Sequence, residues 1–486
     1  MGNGAIIPEF AIVEMSSSCV FIFRRDLRVY DNTALNAAAK WASSVGNVTV
    51  IPIFIFNDNQ ALPKRNKYFS QHAFSFLIKA LQDLAQQLKR LGGRLFVFRA
   101  VNGDECNVLQ SVIGSLHGTV TVAFNADITP YAKERDAKIH AWCEARNIQI
   151  IAPTSDTTIM PLGAVTTGKG TTFEVFTPFY RKALKVIAPL PEGLPRNVGW
   201  HVQPIHGQMT WSALGRVGIK ETVGLVRRAG RHHALWLLEN IKRGKCKNYN
   251  AHHDVPHRDA TTHLSASLKF GCISPREAYK VASDSCGHSS LLVQQLLWRE
   301  FYYNLAIAYP EMLGGQVRRE NLFPKGRFAG IEWNTDAALI HRWKTGTTGV
   351  PFVDAAMRCL EQTGWLHNRA RMVVAMYLVR DMGVDWRVGE RHFATKLVDY
   401  DPVNNNQGWC WALSYRRKLN PFRQAARFDP DCHFIKEWVP ELHDVPSPDI
   451  IAWDTRHEKY TRTVDYRSPI ILNSNPKWFK DVSKSS

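Results

Sequence analysis

The stretch VTVIPIFIF, residues 48–56, is a run of β-branched and aromatic residues with the length of a buried strand. Amphipathic segments such as FSFLIKALQDLAQQLKRL (74–91), whose leucines recur at helical spacing, separate it from similar runs. Strands that alternate with helices predict parallel βαβ units and a doubly wound sheet. The similar runs are VFIF (20–23), RLFVFRA (94–100), TVTVAFN (119–125) and IQIIAP (148–153).

The chain changes character after this region. Residues 154–205 are rich in Pro, Gly and Thr and predict a long connector, and 13 of the 15 tryptophans follow residue 199. We therefore predict an α/β domain at 15–153, a linker at 154–205 and an all-α domain at 206–486, with 1–14 as a leader or disordered tail. Helical patterns occupy 212–243, 275–284, 288–308, 335–344, 350–362 and 366–382.

The charge and the cysteines limit the class of protein. Among 486 residues, 61 Lys and Arg against 43 Asp and Glu give a net charge of +18, which favours a polyanionic partner such as nucleic acid. Nine scattered cysteines without a CxxC pair favour reduced thiols and argue against a zinc site. Without an 18-residue apolar run or a secretion signal, we expect an intracellular protein that binds neither metal nor membrane, in a prokaryotic cytoplasm or a eukaryotic nucleus.

The segment GWLHNRARM (364–372) opens a predicted helix with two different faces. Leu366, Ala370 and Val373 follow the spacing of a core stripe, whereas Asn368 and Arg371 share another side, with Trp365, Met372 and Ala375. A buried guanidinium needs a carboxylate, and a buried amide needs hydrogen bonds. This second face therefore predicts either a structural network or a ligand.

Two further segments carry polar groups. DYDPVNNN (399–406) reads as an Asx-rich turn before a helix, because Pro402 and the lack of a following Glu ligand fit a calcium loop poorly. TTHLSAS (261–267) places hydroxyls where a helix could start, which suits either a phosphate or simple capping.

Several motifs together resemble the photolyase/cryptochrome family of flavoproteins. The resemblance extends from Met15 to about residue 455 in the family's order and implies an α/β domain that can hold an antenna chromophore, followed by a helical domain that holds FAD. The motifs are FRRDLRVYDNTAL (23–35), VFTPFYR (175–181), TTHLSASLKFGCIS (261–274), WREFY (298–302), FVDAAMRCLEQTGWLHNRARM (352–372), DWRVGE (385–390), NNNQGWCW (404–411) and FDPDCHFIKEWVPEL (428–442).

The resemblance assigns roles to individual residues. Arg371 would pair with Asp399 beside the flavin ring, and Asn405 would face flavin N5, where a neutral amide favours the reduced, repair-active state. Asn368 would lie between flavin and lesion. Trp409, Trp386 and Trp333 match the chain that carries electrons from the surface to the photoexcited flavin. The other expected cofactor-binding residues are Tyr249, Thr261, Thr262, Leu264, Ser265, Gln295, Arg299 and Asp401.

The motifs also distinguish members of the family. The pattern Trp-x-His-Asn-x-x-x-Met, here Trp365 to Met372, resembles class I enzymes that split cyclobutane pyrimidine dimers, whereas (6-4) photolyases carry active-site histidines on this helix. The expected function is therefore light-driven repair of dimers in double-stranded DNA by a monomer, with a non-repairing cryptochrome, and less so a (6-4) photolyase, as alternatives. The expected lesion-side residues are Gln295, Trp298, Trp365, Met372 and Trp411.

Three points stay open at this level. Gln295 stands where dimer photolyases generally place Glu, which predicts reduced activity. The antenna chromophore could be folate, deazaflavin, flavin or absent. Outside the family, a basic helical nucleic-acid-binding protein without a cofactor is the competing interpretation, which a flavin absorbance spectrum would exclude.

Overall fold

The computed structural model describes residues 17–46, 48–195, 198–216, 228–314, 331–414 and 418–470. The predicted leader or tail, residues 1–14, lies outside this part of the chain. Within it, the first half holds a parallel sheet with the strand order β3-β2-β1-β4-β5, so the predicted doubly wound sheet is confirmed. The strands are β1 (Ser17–Phe23), β2 (Val48–Asn57), β3 (Phe96–Ala100), β4 (Val120–Ala123) and β5 (Gln149–Ile151).

The central strands are buried on both faces. Every residue of β1 is buried, and its neighbours Val48–Asn57 are buried at all but one position, which explains their continuous apolar runs. Helices cover both faces of the sheet. The helices of this half are α1 (Thr33–Val45), α2 (Asp58–Ala61), α3 (Gln71–Arg90), α4 (Glu105–Ile113) and α5 (Pro130–Glu144).

Two short elements interrupt the connector predicted at 154–205. Helix α6 (Phe176–Ala183) buries Phe176, Phe179 and Ala183, and strand β6 (Gly199–Trp200) pairs with β2 on the edge that β3 also uses. Both elements are stabilised by packing against distant parts of the chain. With eight and two residues, respectively, they are too short to show a hydrophobic periodicity in the sequence.

The second half of the described chain is helical, as predicted. Most of its apolar side chains lie in two large clusters, one shared with the α/β domain and one around Trp343, Trp386 and Trp409. The helices are α7 (Trp211–Arg216), α8 (Gly230–Lys242), α9 (Tyr249–His252), α10 (Ser265–Lys269), α11 (Pro275–Cys286), α12 (Leu291–Ala308), α13 (Ala337–Thr345), α14 (Pro351–Thr363), α15 (Asn368–Met376), α16 (Trp386–Lys396), α17 (Pro402–Ser414), α18 (Pro421–Phe428), α19 (His433–Trp438), α20 (Ser447–Ile451) and α21 (Trp453–Arg456).

The two halves meet through the loop after β1. Arg28 binds Asp156 at 2.6 Å, and Arg276 of α11 binds Asp31 at 2.9 Å, with all four side chains buried. Gly271 lies against the same loop with a φ of +63°, and a Cβ there would collide with the backbone oxygen of Arg25. Buried ion pairs and a close backbone approach fix the relative position of the halves.

Over the residues that the structure describes, no helix combines the length and the apolar character needed to cross a bilayer.

Candidate active site

A cavity of about 560 Å³ lies within the helical half, between α10, α12, α15 and α17. Its size is typical of sites for cofactors and other small molecules. All but four of the predicted site residues line it; the four exceptions are Thr261, Trp333, Trp365 and Trp386. The predicted residues that line it are Tyr249, Thr262, Leu264, Ser265, Gln295, Trp298, Arg299, Asn368, Arg371, Met372, Asp399, Asp401, Asn405, Trp409 and Trp411.

Helix α15 supplies one wall of the cavity. Asn368, Arg371 and Met372 line the cavity from one face, while Val373 and Val374 are buried in the core, as the helical wheel predicts. His367 caps the helix by accepting a hydrogen bond from the backbone N–H of Arg369 at 3.1 Å. The α-helix is shorter than predicted, since a π-helical turn (Tyr377–Asp381) follows it.

The guanidinium of Arg371 has the carboxylate that the sequence requires. Its Nη2 donates to Asp399 Oδ2 at 2.8 Å and to Oδ1 at 3.1 Å. Its Nε donates to the backbone oxygen of Leu366 at 2.7 Å. Because two acceptors fix the guanidinium plane, the pair presents a positive group of defined orientation to the cavity.

Asn405 is oriented by a residue that the sequence did not single out. Its Nδ2 donates to both the backbone oxygen and Oε1 of Glu390, each at 3.1 Å. Burial raises the pKa of the Glu390 carboxyl. Since the amide nitrogen is occupied, the side-chain oxygen of Asn405 is the group left to accept a hydrogen bond from a ligand.

The charges of the wall fit FAD. Arg369 pairs with Asp254 at 2.6 Å, but Lys269 and Arg299 form no ion pair with any described residue. Arg299 Nη2 is also buried without a hydrogen-bond partner in the described part of the chain. Burial, and then the nearby Arg25, lower the pKa of Lys269 to about 7. Neither side chain has a carboxylate within ion-pair distance in the described part of the chain, so both leave N–H donors for the diphosphate of FAD.

Asp401 lines the cavity but faces the other domain. Arg25, from the loop after β1, forms a short ion pair with it, and Tyr303 donates a hydrogen bond to it at 2.7 Å. Burial opposes ionisation of Asp401, but Arg25 and then Arg299 lower its pKa below the usual range. The motif FRRDLR carried the signal for Arg25, although its partner could not be predicted from spacing.

The three tryptophans that are predicted to carry electrons to the flavin, called the electron ladder below, occupy one apolar cluster. Trp409 is 2% exposed and lines the cavity, Trp386 is 1% exposed, and Trp333 is partly buried against the same cluster. Gly389 permits the approach of Trp409, because a Cβ at that position would collide with the indole ring. Trp409 thus lies at the cavity and Trp333 is the most exposed of the three, and their role in electron transfer stays a prediction.

Trp365 and Thr261 lie apart from the lining. The Trp365 ring packs against the imidazole of His263 at 4.7 Å and against His367 at 6.3 Å. Thr261 precedes Thr262, which does line the cavity. Their assigned roles stay predictions.

Known protein families match both halves of the chain. A family model described as the FAD binding domain of DNA photolyase matches residues 292–477, and one described as DNA photolyase matches residues 19–196. The deoxyribodipyrimidine photo-lyase of Halobacterium salinarum is 33% identical over 483 residues, which cover 94% of this chain and 96% of that protein. The chain belongs to the DNA photolyase family. The resemblance inferred from the motifs is thereby confirmed.

Two other photolyases are similar to this chain over most of its length. The deoxyribodipyrimidine photo-lyase of Escherichia coli is 31% identical, over 92% of this chain and 94% of that protein. An archaeal photolyase from Sulfolobus tokodaii, whose crystal structure has two FAD molecules, is 35% identical with a TM-score of 0.80, over 96% of this chain and all of that one.

More distant structures share the fold. A class III photolyase from Agrobacterium tumefaciens is 26% identical with a TM-score of 0.82, covering 97% of this chain and 98% of that one. A Synechocystis cryptochrome, 22% identical with a TM-score of 0.79 over 94% and 97% of the two chains, shares the fold. The two-domain architecture and the helical FAD-binding domain are those of the family.

Proposed function

We propose that this protein is a light-driven DNA repair enzyme, a deoxyribodipyrimidine photo-lyase, that splits cyclobutane pyrimidine dimers. The observation that carries this proposal is the joint lining of one cavity by the Arg371–Asp399 pair, the oriented amide of Asn405 and the tryptophans Trp298 and Trp411. The first two groups suit a reduced flavin, and the last two suit the ring faces of a dimer that has left the base stack.

Bound FAD in its reduced, anionic form would supply the chemistry, which is light-driven transfer of one electron that splits the cyclobutane ring and is then returned. The protein's residues hold the cofactor and set the electrostatic environment around it. Arg371 stabilises negative charge in the cavity, and Asp399 keeps the guanidinium in place. Asn405 offers a neutral acceptor, which adds no second negative charge, and Glu390 keeps its amide from rotating.

The substrate side of the cavity is aromatic and apolar. Trp298, Trp411 and Met372 line it and would hold a dimer that has left the helical stack, while Asn368 bridges toward the cofactor. A damaged base pair is cheaper to unstack than an intact one, so such a pocket selects damaged DNA. Gln295 also lines the cavity, and its amide oxygen can accept a hydrogen bond from a pyrimidine N–H while its amide nitrogen can donate to a pyrimidine carbonyl.

The mode of DNA binding, the cellular compartment and a second chromophore are proposals of the same kind. With a net charge of +18, we expect the protein to act as a monomer on duplex DNA, with affinity that falls steeply as salt rises. We expect it to work in the compartment that holds the genome. A second chromophore in the α/β half is consistent with the two FAD molecules of the Sulfolobus tokodaii photolyase.

The test is a repair assay on an oligonucleotide that carries one thymine dimer, with reduced protein, blue light and a dark control. We expect light-dependent restoration of the two thymines, and no repair of a (6-4) lesion. Absence of repair by protein that has bound FAD would contradict the proposal and favour a photoreceptor.

A pair of variants checks the lesion side. Trp298→Ala should weaken binding of dimer DNA by about tenfold or more, since one stacked base is worth about 1–3 kcal/mol, and should leave FAD bound. Trp236→Ala is the matched control, because Trp236 is 47% exposed on α8 and lies outside the cavity lining. Equal affinities of the two variants would contradict the assignment of Trp298.

A further inference from the structure

A residue of the interdomain connector packs against Trp298, the tryptophan that is proposed to contact the lesion. The indole of Trp298 stacks on the ring of Phe176 with centroids 3.6 Å apart and an angle of 10° between the planes. Phe176 begins α6, whereas Trp298 lies in the middle of α12. Phe176 is 7% exposed and is not part of the cavity lining. One face of Trp298 is therefore covered by a residue from outside the helical domain.

A wider aromatic group fixes Phe176 itself. Tyr180, one helical turn further along α6, stacks on it at 5.7 Å, and Phe301 meets it edge-on at 5.7 Å. Phe301 also meets Trp298 edge-on at 5.7 Å. Offset-stacked and edge-to-face rings are the favourable arrangements of aromatic pairs, so this group holds the indole in one orientation.

Polar contacts at both ends of α12 keep the connector in place. Tyr180 donates a hydrogen bond to the backbone oxygen of Ser289, just before α12, at 3.2 Å. Tyr309, at the end of α12, donates to Glu174 Oε1, just before α6, at 2.5 Å. Because α6 is tied to α12 at two separate points, it cannot withdraw from Trp298 without breaking these bonds.

We propose that Phe176 is a positioning residue that sets the preference of the site for damaged over intact DNA by holding the Trp298 indole ready to stack on the lesion. This inference rests on the proposed function. Phe176 does not touch substrate; it removes the rotational freedom that Trp298 would otherwise lose on binding. Contacts to phosphates, which bind damaged and intact DNA alike, are independent of it.

The matched variants are Phe176→Leu and Phe179→Leu. Both residues are buried on α6, and Phe179 packs on Phe301 at 5.3 Å but has no ring contact with Trp298 within the described chain. We expect Phe176→Leu to lower the ratio of dissociation constants for intact and dimer DNA about threefold to tenfold, with intact DNA bound as before. Phe179→Leu should leave the ratio unchanged. If Phe176 had a purely structural role, both variants would have a lower melting temperature and neither would change the ratio of dissociation constants.

A second readout needs no DNA. With 5-fluorotryptophan incorporated, the ¹⁹F signal of Trp298, identified by its loss in Trp298→Phe, should shift in Phe176→Leu and stay in place in Phe179→Leu. If the wild-type protein showed no preference for dimer DNA, the proposed function would fail while this signal still tested the stacking. An unchanged binding ratio or an unmoved signal in Phe176→Leu overturns the inference.

Discussion

At the scale of single residues, a glycine determines how Trp409 can sit beside the cavity. Gly389 of α16 leaves the space that the indole occupies, so Trp409 packs against the helix backbone and, at 5.1 Å, against Phe393. Trp386, three residues before this glycine, belongs to the same cluster. One short segment therefore carries Trp386 and the contact surface for Trp409, the two buried tryptophans that are predicted to carry electrons.

The electron ladder gives the first prediction. Trp386→Phe should slow photoreduction of oxidised FAD by at least tenfold, because phenylalanine is much harder to oxidise than indole, and should leave FAD bound. The measurement is the bleaching of flavin absorbance under blue light with an external reductant. The matched control is Trp453→Phe, since Trp453 is equally buried but packs on Tyr460 and Tyr466. Equal rates in both variants would remove Trp386 from the ladder.

The amide of Gln295 gives the second prediction. Gln295→Glu should increase the affinity for dimer DNA about threefold to tenfold, because a charged acceptor forms a stronger hydrogen bond to a pyrimidine N–H than an amide oxygen does. The assay is a titration of a fluorescent dimer oligonucleotide, with intact DNA for comparison. Gln294→Glu, one residue away and outside the cavity lining, is the control. A weaker or unchanged affinity for the dimer would contradict this role.

The sequence predicted some of the site residues and missed others, for a physical reason. The Arg371 guanidinium required a carboxylate, and Asp399 fulfils that requirement. Glu390 and Arg25 were not singled out, because each acts through a partner that only the tertiary fold brings near. Lys269 was not singled out either, because only the fold places it in the cavity lining. Residue type and spacing indicate what a side chain needs, whereas the fold decides which neighbour provides it.

At the scale of elements, the cap of α15 depends on a neutral histidine. His367 Nδ1 accepts the N–H of Arg369, so this nitrogen must carry no proton. The ring is buried, and burial lowers the pKa of His367 to about 4. In the unfolded chain the pKa is about 6.5, so between pH 6.5 and 4 the unfolded state binds more protons.

The third prediction follows from this difference. The free energy of unfolding should decrease as the pH falls from 6.5 to 4, with His367 contributing up to about 1.4 kcal/mol per pH unit. His367→Asn keeps a capping oxygen without the titration, so its stability should depend less on pH in this window. Urea unfolding at pH 7, 6 and 5 measures the slopes, with the exposed His443→Asn as control. Identical slopes for His367→Asn and wild type would contradict the assignment.

Helix prediction succeeded where a long amphipathic pattern existed and failed where packing alone stabilised the element. The pattern at 350–362 corresponds to α14, and the pattern at 288–308 contains α12. The predicted helix at 366–382 instead changes to a π-helical turn at Tyr377, which no periodicity reveals. Helix α6 was missed because three buried residues in eight form too short a pattern.

At the scale of the whole molecule, the two halves are joined by a close backbone contact at Gly271. The fourth prediction is that Gly271→Ala destabilises the protein by about 2 kcal/mol or more, because it adds a collision with Arg25 to an unfavourable φ. FAD affinity should fall as well, since Arg25 is displaced from Asp401. Urea unfolding and FAD titration measure the two effects.

Gly287→Ala is the control for this prediction. Gly287 also has a positive φ, at +95°, but a Cβ there would meet no atom within 4 Å. It should cost only the backbone term of about 1 kcal/mol and leave FAD affinity unchanged. Equal destabilisation by the two substitutions would mean that the contact with Arg25 has no energetic role.

The Arg25–Asp401 ion pair also limits how the chain could be recombined with its relatives. A chimaera that took its α/β domain from a protein without arginine at this position would leave the Asp401 carboxylate in the cavity lining without its ion-pair partner. Successful exchange of α/β domains thus requires that the donor domain and the recipient cavity agree at this one pair, however different their other surfaces are.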